Sequence, residues 1–192
     1  MYNRPPTISR ATLGHPTLLD ERRLSALRAM ALMDTPTEDM FDNLTHLATR
    51  LLGAPVSLIS LVDGNRQWFK SIVGLPDPWA SRRQTPLSHS FCQYVVTSQK
   101  PLIITDARKV DFLKDNLAIP DLNVIGYLGM PLTTTDGHTL GSLCVIDSQP
   151  RDWTQHEVEI VHDLAATTMS LIEMRSQILS QTIASESKLR TP

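Results

Sequence analysis

The sequence has few cysteines, no apolar run long enough to span a membrane, and no signal-peptide core. Each absence excludes a class of protein. Cys92 and Cys144 are the only cysteines. They are too few for a disulfide scaffold, and their spacing fits no zinc site. No apolar run approaches the ~20 residues that span a bilayer, and the opening stretch MYNRPPTISR lacks the apolar core of a signal peptide. We therefore expect a soluble protein of the reducing cytoplasm with no membrane partner.

An excess of charge of one sign is missing as well. Eighteen basic and twenty acidic residues give a formal net charge of −2 at pH 7, so no basic surface points to a nucleic-acid partner. With 192 residues, of which 41% are hydrophobic, the chain can bury the core of one full-sized domain and still carry a helical extension.

The strongest local signal is the stretch 124–147, VIGYLGMPLTTTDGHTLGSLCVID. Its two apolar runs flank an Asp-Gly step, which is typical of an antiparallel hairpin. Gly126, Gly129 and Gly141 are spaced among bulky residues, and such glycines remove side chains where another group approaches the backbone. Two interpretations stay open here: close packing between strands, or one wall of a ligand cavity.

Helical patterns lie near both ends of the chain. Residues 1–17 contain Pro and Gly but no periodicity, and they predict a flexible N-terminal arm. A helix can begin at Asp20, with Leu24 and Leu27 in its apolar stripe, and must stop near 34–36 because of the proline there. A second helix is predicted after Thr37, with its end at a glycine, position 53.

The last helix is predicted to be longer than a domain of this size can cover. A capping box at Thr154 and Glu157 is followed by no Pro or Gly before Arg190, which allows a helix of up to ~50 Å. Apolar residues occupy one set of heptad positions and polar residues the alternating set: Val161, Leu164, Leu171 and Ile178 against Thr168, Arg175 and Thr182. This pattern predicts a two-stranded helical contact with a second copy, in which the register of the two helices can shift. The alternative is a helix that packs on its own domain to about residue 172 and then frays.

Short β-rich runs fill the middle of the chain, at 56–62, 67–73 and 102–105, besides the hairpin. The segment 75–87 is predicted to be a loop, Ser90 and Gln93 to begin a short helix, and 111–119 to form an irregular one. This order predicts an α+β fold with a mainly antiparallel sheet of five or six strands. The terminal helices should cover one face, and the crossings 75–99 and 106–123 should enclose a cavity on the other.

The predicted pocket combines aromatic, sulfur-containing and polar side chains. Trp68 and Phe69 must point to opposite faces of their strand, so one of the two faces the cavity. The pocket is expected to include Trp68 or Phe69, Phe91, Cys92, Tyr127, Met130 and Cys144, with Ser90 and Asp106 as its polar contacts. For the two thiols, the competing interpretation is that they are small buried hydrophobes. For Asp106, it is a turn that caps a strand end.

Several motifs in the correct order resemble the GAF domain, in the subgroup found at the N-terminus of bacterial sensor histidine kinases and diguanylate cyclases. The resemblance covers about residues 18–172, with 173–192 as a C-terminal extension of the signalling helix. It rests on LDERRLSALRAMALMDTPTEDMFDNLTHLATRLLGAPVSLISLVDGNRQWFKSIVGLP, SHSFCQYVV, PLIITDAR, GYLGMPL, DGHTLGSLCVID and PRDWTQHEVEIVHDLA.

The resemblance implies a PAS-like fold and a non-catalytic sensory function. Such a domain would bind a small ligand or sense redox state, form a homodimer through its terminal helices, and signal along the last helix. The predicted dimer and signalling residues are Leu24, Leu27, Val161, Leu164, Leu171 and Ile178. The receiver would be an output domain of histidine kinase or diguanylate cyclase type, or a separate signalling partner. Fold alone does not decide among the ligands of this family.

Three cofactor classes of the family are disfavoured, and the cofactor is unknown. GAF photoreceptors attach bilin to a Cys followed by His, but Cys92 precedes Gln and Cys144 precedes Val. The signature of cyclic-nucleotide GAF domains opens with Asn-Lys, a dipeptide absent here. Haem would need an axial ligand, for which His89 is the one candidate, and such a histidine is more often structural. No metal site is predicted.

Two alternatives to a ligand sensor remain. One is a pure dimerisation module whose cavity is collapsed. The other is a thiol enzyme of the free methionine sulfoxide reductase type, in which Cys92 and Cys144 would act as nucleophile and resolving thiol. The cysteine pattern of that branch is absent from this sequence.

Overall fold

A computed structural model describes residues 15–189 of the chain. Its strands are β1 (Val56–Val62), β2 (Arg66–Val73), β3 (Gln84–Pro86), β4 (Leu102–Ile104), β5 (Gly126–Thr133) and β6 (Thr139–Asp147). Its α-helices are α1 (Glu21–Ala29), α2 (Asp39–Leu52), α3 (Trp79–Arg82), α4 (Cys92–Ser98), α5 (Ala118–Leu122) and α6 (Gln155–Leu189). Two single 3₁₀ turns cover Leu87–His89 and Ala107–Lys109.

The six strands form one sheet in the order β3-β2-β1-β6-β5-β4, and every neighbouring pair is antiparallel. The predicted sheet and its central β5–β6 hairpin are therefore confirmed. The turn of the hairpin contains Gly137 with φ of +85°, a conformation that glycine adopts without strain. The prediction of a loop over 75–87 was wrong in part, because α3 and the edge strand β3 lie there. Neither is long enough to show a period in the sequence.

Two layers cover the sheet, as predicted. Helices α1, α2 and α6 pack on one face, and α4, α5 and the 3₁₀ turns close the other. The alternation along β6 shows this division: Leu143 and Val145 belong to the cluster under the terminal helices, whereas Cys144 and Ile146 belong to the opposite cluster.

The chain before α1 is held by a buried arginine. The guanidinium of Arg23 donates to the carbonyls of Thr17, Leu18 and Val62 at 3.1, 2.6 and 2.7 Å. Residues 15–17 belong to a turn in which the Leu18 N–H donates to the His15 carbonyl at 2.9 Å. The flexible arm over 1–17 stays a prediction. The rest of that arm, residues 1–14, lies outside the described residues. Helix α1 itself begins after Asp20, as predicted, and the Asp20 carboxylate accepts from the Arg23 N–H at 2.9 Å.

The predicted capping box starts α6. The Thr154 hydroxyl accepts from the Glu157 N–H at 3.2 Å, and the Glu157 carboxylate accepts from the Thr154 N–H at 2.8 Å. The helix has 35 residues, which gives it a length of about 50 Å. Among residues 15–189, no helix combines the length and the apolar composition that crossing a bilayer requires.

The structure corrects the surface that was predicted to meet a second copy. Leu27, Val161 and Leu164 are buried in the core of their own domain, because the first half of α6 covers the sheet. Leu171 packs partly against the same core, and Leu24 is half-buried. Of the predicted residues, only Ile178 is largely exposed, at 57%. The last residues of the predicted extension, 190–192, lie outside the described part of the chain.

Candidate functional site

A cavity lies between the sheet and the layer formed by α4 and α5. Its wall is mostly apolar and is made by Leu58, Gln67, Phe69, Leu75, His89, Phe91, Cys92, Ala118, Leu122, Val124, Tyr127, Cys144 and Ile146. The free space at its centre is about 20 Å³, enough for about one water molecule. In this conformation the side chains themselves fill most of the interior.

Five of the predicted pocket residues meet at this cavity: Phe69, Phe91, Cys92, Tyr127 and Cys144. The rings of Phe91 and Tyr127 contact each other edge to face at a centroid distance of 5.4 Å. Within β2, Phe69 takes the cavity face. Trp68 points the other way, where its ring lies under the guanidinium groups of Arg66 and Arg83 at 5.8 and 5.1 Å.

Met130 does not line the cavity, which corrects that prediction. Alternation along β5 directs Tyr127 to the cavity and Met130 to the core under the terminal helices. Sequence alone could not decide which residues of β5 faced the cavity, because both faces of this strand are buried.

Asp106 also lies outside the cavity wall. It is a cap at the end of β4 and accepts hydrogen bonds from the Arg108 guanidinium at 2.8 Å. These hydrogen bonds lower the pKa of the Asp106 carboxyl to about 2. The geometry fits the turn interpretation rather than a pocket contact.

Ser90 touches the cavity only through another side chain. Its hydroxyl donates to the Gln67 side-chain oxygen at 2.7 Å, and the same oxygen accepts from Ser60 at 3.2 Å. The Gln67 amide donates in turn to the Thr85 hydroxyl at 2.7 Å. This buried network fixes Gln67 in the cavity wall. Gln67 is not among the residues predicted for the pocket, although its position two residues before Phe69 puts it on the same face of the strand.

His89 is buried, and both of its ring nitrogens already have partners. Nε2 lies 2.9 Å from the Asp121 carboxylate, and Nδ1 lies 2.9 Å from the Ser88 hydroxyl. The ring packs against Trp79 at a centroid distance of 4.9 Å. Neither nitrogen is available as an axial haem ligand in this arrangement. Across residues 15–189, no three His, Cys, Asp or Glu side chains are grouped to hold a metal ion.

The spaced glycines of the hairpin are explained by protein atoms. A Cβ at Gly129 would lie 2.6 Å from Cε1 of Tyr127, whose ring lies over this position. A Cβ at Gly141 would lie 2.8 Å from Cα of Leu61 in the neighbouring strand. Gly141 therefore serves close strand packing, whereas Gly129 leaves room for an aromatic side chain that fills the cavity.

A second polar network connects the sheet to α6. Lys70, which follows the cavity residue Phe69 on β2, is fully buried on the opposite face and donates to Glu38 at 2.6 Å. The Glu38 carboxylate also accepts from Nε of Arg175 on α6 at 2.8 and 3.0 Å. Burial lowers the pKa of Lys70, and Glu38 opposes that shift. Burial raises the pKa of Glu38, but hydrogen bonds from Arg175 and Lys70 outweigh it, and the pKa is lowered.

The fold agrees with a comparison to known families, in which residues 36–172 match the family described as GAF domain. The chain belongs to the GAF domain family. The resemblance seen in the sequence is thereby confirmed. The match includes α2, the whole sheet and the part of α6 that packs on it.

This GAF domain is also similar to a curated protein, the cyclic di-GMP phosphodiesterase PA2567 of Pseudomonas aeruginosa. The two are 31% identical over 155 residues, which cover 80% of this chain and 26% of the phosphodiesterase. The chain thus spans about a quarter of the length of the relative that it matches.

Solved structures share the fold of this GAF domain. A domain of a putative two-component sensor histidine kinase protein from Sinorhizobium meliloti 1021 has a TM-score of 0.62 at 17% identity, and the match covers 75% of this chain and 97% of that one. A type II free methionine-R-sulfoxide reductase from Thermoplasma acidophilum has a TM-score of 0.57 at 9% identity, covering 71% and 92%. Identities this low establish the fold alone.

Proposed function

We propose that this GAF domain is a non-catalytic sensory module in the bacterial cytoplasm, and that it regulates an output enzyme of cyclic di-GMP signalling. The similarity to a cyclic di-GMP phosphodiesterase supports this choice. A diguanylate cyclase would act on the same signalling molecule. A histidine kinase output stays open, with only a shared fold in its favour.

One observation carries the proposal: a continuous set of contacts from the cavity to the helix that leaves the domain. Phe69 lines the cavity, and the next residue, Lys70, holds Glu38 on the other face of the sheet. Glu38 in turn holds Arg175. A small ligand or a redox change that moves Phe69 would therefore alter the anchor of α6.

In this proposal, a change in the cavity reaches the second half of α6. Beyond Arg175 the helix continues to Leu189. Next to Arg175 and along this half, the apolar residues Met174, Ile178 and Leu179 are 55%, 57% and 37% exposed. We propose that two copies pair along this half and that the pairing carries the signal to the output domain.

A pure dimerisation module is the second candidate, and the size of the cavity favours it. Free space of about 20 Å³ admits no organic ligand unless side chains move. Tyr127, 1% exposed, occupies much of the interior. In this version the domain would hold two output domains together and sense nothing.

The thiol-enzyme alternative has less support. Cys92 and Cys144 are 2% and 0% exposed, and a nucleophile that turns over an external substrate needs access to it. The likeness to the reductase extends to the fold alone.

The test is a chimera. We would replace the matching segment of the Pseudomonas aeruginosa phosphodiesterase with this domain and measure cyclic di-GMP hydrolysis. Arg175→Ala should change the rate by roughly fivefold or more, as expected for coupling between sites. Arg28→Ala, which breaks an exposed ion pair with Glu21, should leave it unchanged.

A cavity substitution separates the two candidates. Phe69→Leu should change hydrolysis by the chimera if the domain is a sensor, and should leave it unchanged if the domain only dimerises. Equal rates in the chimera, in all three variants and in the phosphodiesterase with the segment deleted would refute regulation by this domain.

A further inference from the structure

Both cysteines of the chain lie in the wall of one cavity, although they are far apart in sequence. Cys92 opens α4 on the covering layer, and Cys144 lies on the cavity face of β6, in the sheet. In the strand pairings Cys144 is opposite Leu58 of β1 and Gly129 of β5. Because Gly129 has no side chain, the ring of Tyr127 occupies the space above it, beside Cys144.

Hydroxyl groups surround the sulfur of Cys92. The Tyr127 hydroxyl lies 3.4 Å from it and 3.4 Å from the Ser142 hydroxyl. Ser142 points to the same face of β6 as Cys144, and Ser60 is its partner across the strand pair. Burial among apolar atoms alone would keep both thiols protonated and inert. Here the donors favour a thiolate.

The two thiols line the same cavity, and their pKa values shift in opposite directions. The pKa of Cys92 is lowered, chiefly by the Cys144 thiol and then by neighbouring hydroxyls such as that of Tyr127, against the effect of burial. The pKa of Cys144 is raised well above its usual value by Cys92 and by burial. Cys92 is therefore the more acidic thiol of the pair, and Cys144 holds its proton more tightly.

The cavity also limits what can reach this pair. Its free space of about 20 Å³ has room for about one water-sized molecule. Hydrogen peroxide is small, neutral and only slightly larger than water. Bulky thiols, alkylating reagents and methionine sulfoxide are much larger than this space.

From the placement of the two thiols around a cavity of this size, we propose that Cys92 and Cys144 form a peroxide-sensitive site that closes to an intrachain disulfide. The inference specifies the redox signal of the proposed function. It rests on that function only for its effect on the output enzyme.

The chemistry balances with hydrogen peroxide as the oxidant. The Cys92 thiolate attacks one peroxide oxygen, the O–O bond breaks, and the departing hydroxide takes a proton to become water. Cys92 is then a sulfenic acid. The Cys144 sulfur attacks the Cys92 sulfur, the S–O bond breaks, and the hydroxide leaves as a second water with the Cys144 proton. Two thiols and one peroxide give one disulfide and two waters, and the sulfurs supply both electrons.

The test starts from the reduced protein and measures whether the disulfide between Cys92 and Cys144 forms. The folded protein is exposed to hydrogen peroxide, quenched with catalase, alkylated under denaturing conditions and mapped by peptide mass spectrometry. We expect a loss of two hydrogens and a linked pair of peptides that contain Cys92 and Cys144. This measurement needs no output domain, so its failure is distinct from a failure of the chimera.

Single substitutions assign the two roles. In Cys144→Ser, peroxide should leave Cys92 as a sulfenic acid. Dimedone should label it once the quenched protein is denatured, because dimedone is too large for the cavity. In Cys92→Ser, Cys144 should remain unlabelled. Tyr127→Phe keeps the ring but removes the hydroxyl, and it should slow the oxidation and move its pH profile upward. Circular dichroism confirms that each variant is folded.

Two results would overturn the proposal. One is that both cysteines remain fully alkylated after a peroxide dose that oxidises free glutathione completely. The other is that the disulfide joins two chains rather than the two residues of one.

Discussion

Arg175, near the middle of α6, holds the carboxylate of Glu38, the residue that directly precedes α2, through contacts of 2.8 and 3.0 Å. The same guanidinium donates to the carbonyls of Met30 and Ala31 at 3.2 Å. One side chain thus joins α6 to both N-terminal helical segments. It does so just before α6 becomes exposed. The point where the long helix leaves the domain is therefore fixed by charge and hydrogen bonds as well as by apolar packing.

Substitution of Arg175 or Glu38 should lower the stability of the domain by different amounts. Arg175→Ala should lower the free energy of unfolding by about 1.5–3 kcal/mol, the range for hydrogen bonds to charged groups. Glu38→Ala should cost more, about 3 kcal/mol or above, because it leaves the buried Lys70 without its anion. Urea denaturation measures both values. Arg28→Ala, at an exposed ion pair, should cost less than about 0.5 kcal/mol.

Hydrogen exchange gives the second readout for the same variants. Amides just beyond position 175 should exchange faster in Arg175→Ala and in Glu38→Ala to a similar extent, because both break the same anchor. Unchanged exchange in both variants would show that apolar packing alone positions α6.

Gly129→Ala should destabilise the domain through the Tyr127 ring. The new Cβ would lie 2.6 Å from Cε1 of Tyr127, and overpacking of this kind costs about 1–3 kcal/mol. The double variant with Tyr127→Leu should lose less stability than the sum of the two single losses, since the smaller side chain removes the clash. Gly64→Ala is the control, because its Cβ meets only the end of the Leu19 side chain, at 3.3 Å. Additive losses in the thermal unfolding of the double variant would contradict the clash.

The lowered pKa of the Asp106 carboxyl predicts that the stability of the domain depends on pH in the acid range. Its carboxyl pKa falls from 3.8 to about 2 in the folded protein, chiefly because Arg108 hydrogen bonds to it. A lowered folded-state pKa gives stability that is present above the unfolded pKa and lost as pH falls through the folded pKa. The Tm difference between the wild type and Asp106→Asn should therefore be constant above about pH 5 and shrink from about pH 4 to pH 2.

The control for this experiment is Asp111→Asn, whose carboxylate is fully exposed and 3.6 Å from Lys114. Its Tm difference from the wild type should stay near zero throughout. A difference at Asp106 that is the same at pH 2 and pH 6 would rule out the ion pair as its cause.

The fold was more predictable from sequence than the site, for a physical reason. The Asp-Gly turn at 136–137 and the Thr154 capping box act through neighbouring residues, so local sequence determines them. Residues that depend on distant partners were missed or misassigned. Arg23 directly precedes Leu24 of the predicted apolar stripe, and nothing local indicates that it is buried. Its guanidinium donates to a carbonyl 39 positions away, that of Val62. Met130 was assigned to the cavity because a strand buried on both faces does not reveal which face is which.

The same limit applies to the dimer surface. Heptad spacing gives equivalent positions to Val161, Leu164, Leu171 and Ile178. In the structure, however, the first two pack against the sheet of their own domain. The period of an apolar stripe cannot say whether the stripe meets its own domain or a second copy. What remains exposed after folding, rather than the full heptad pattern, is the surface to test.

Ile178→Glu tests the pairing of two copies along that exposed half of α6. Ile178 is 57% exposed and lies one helical turn beyond Met174, which is 55% exposed. A charge placed in an apolar helix contact opposes association, so multi-angle light scattering should show a dimer for the wild type and a monomer for Ile178→Glu at the same concentration. Ser180→Glu adds the same charge away from this stripe and should stay dimeric. If Ile178→Glu remains a dimer, or if the wild type is a monomer at every concentration, the second half of α6 is not the contact between copies, and the relay must reach its output through a single chain.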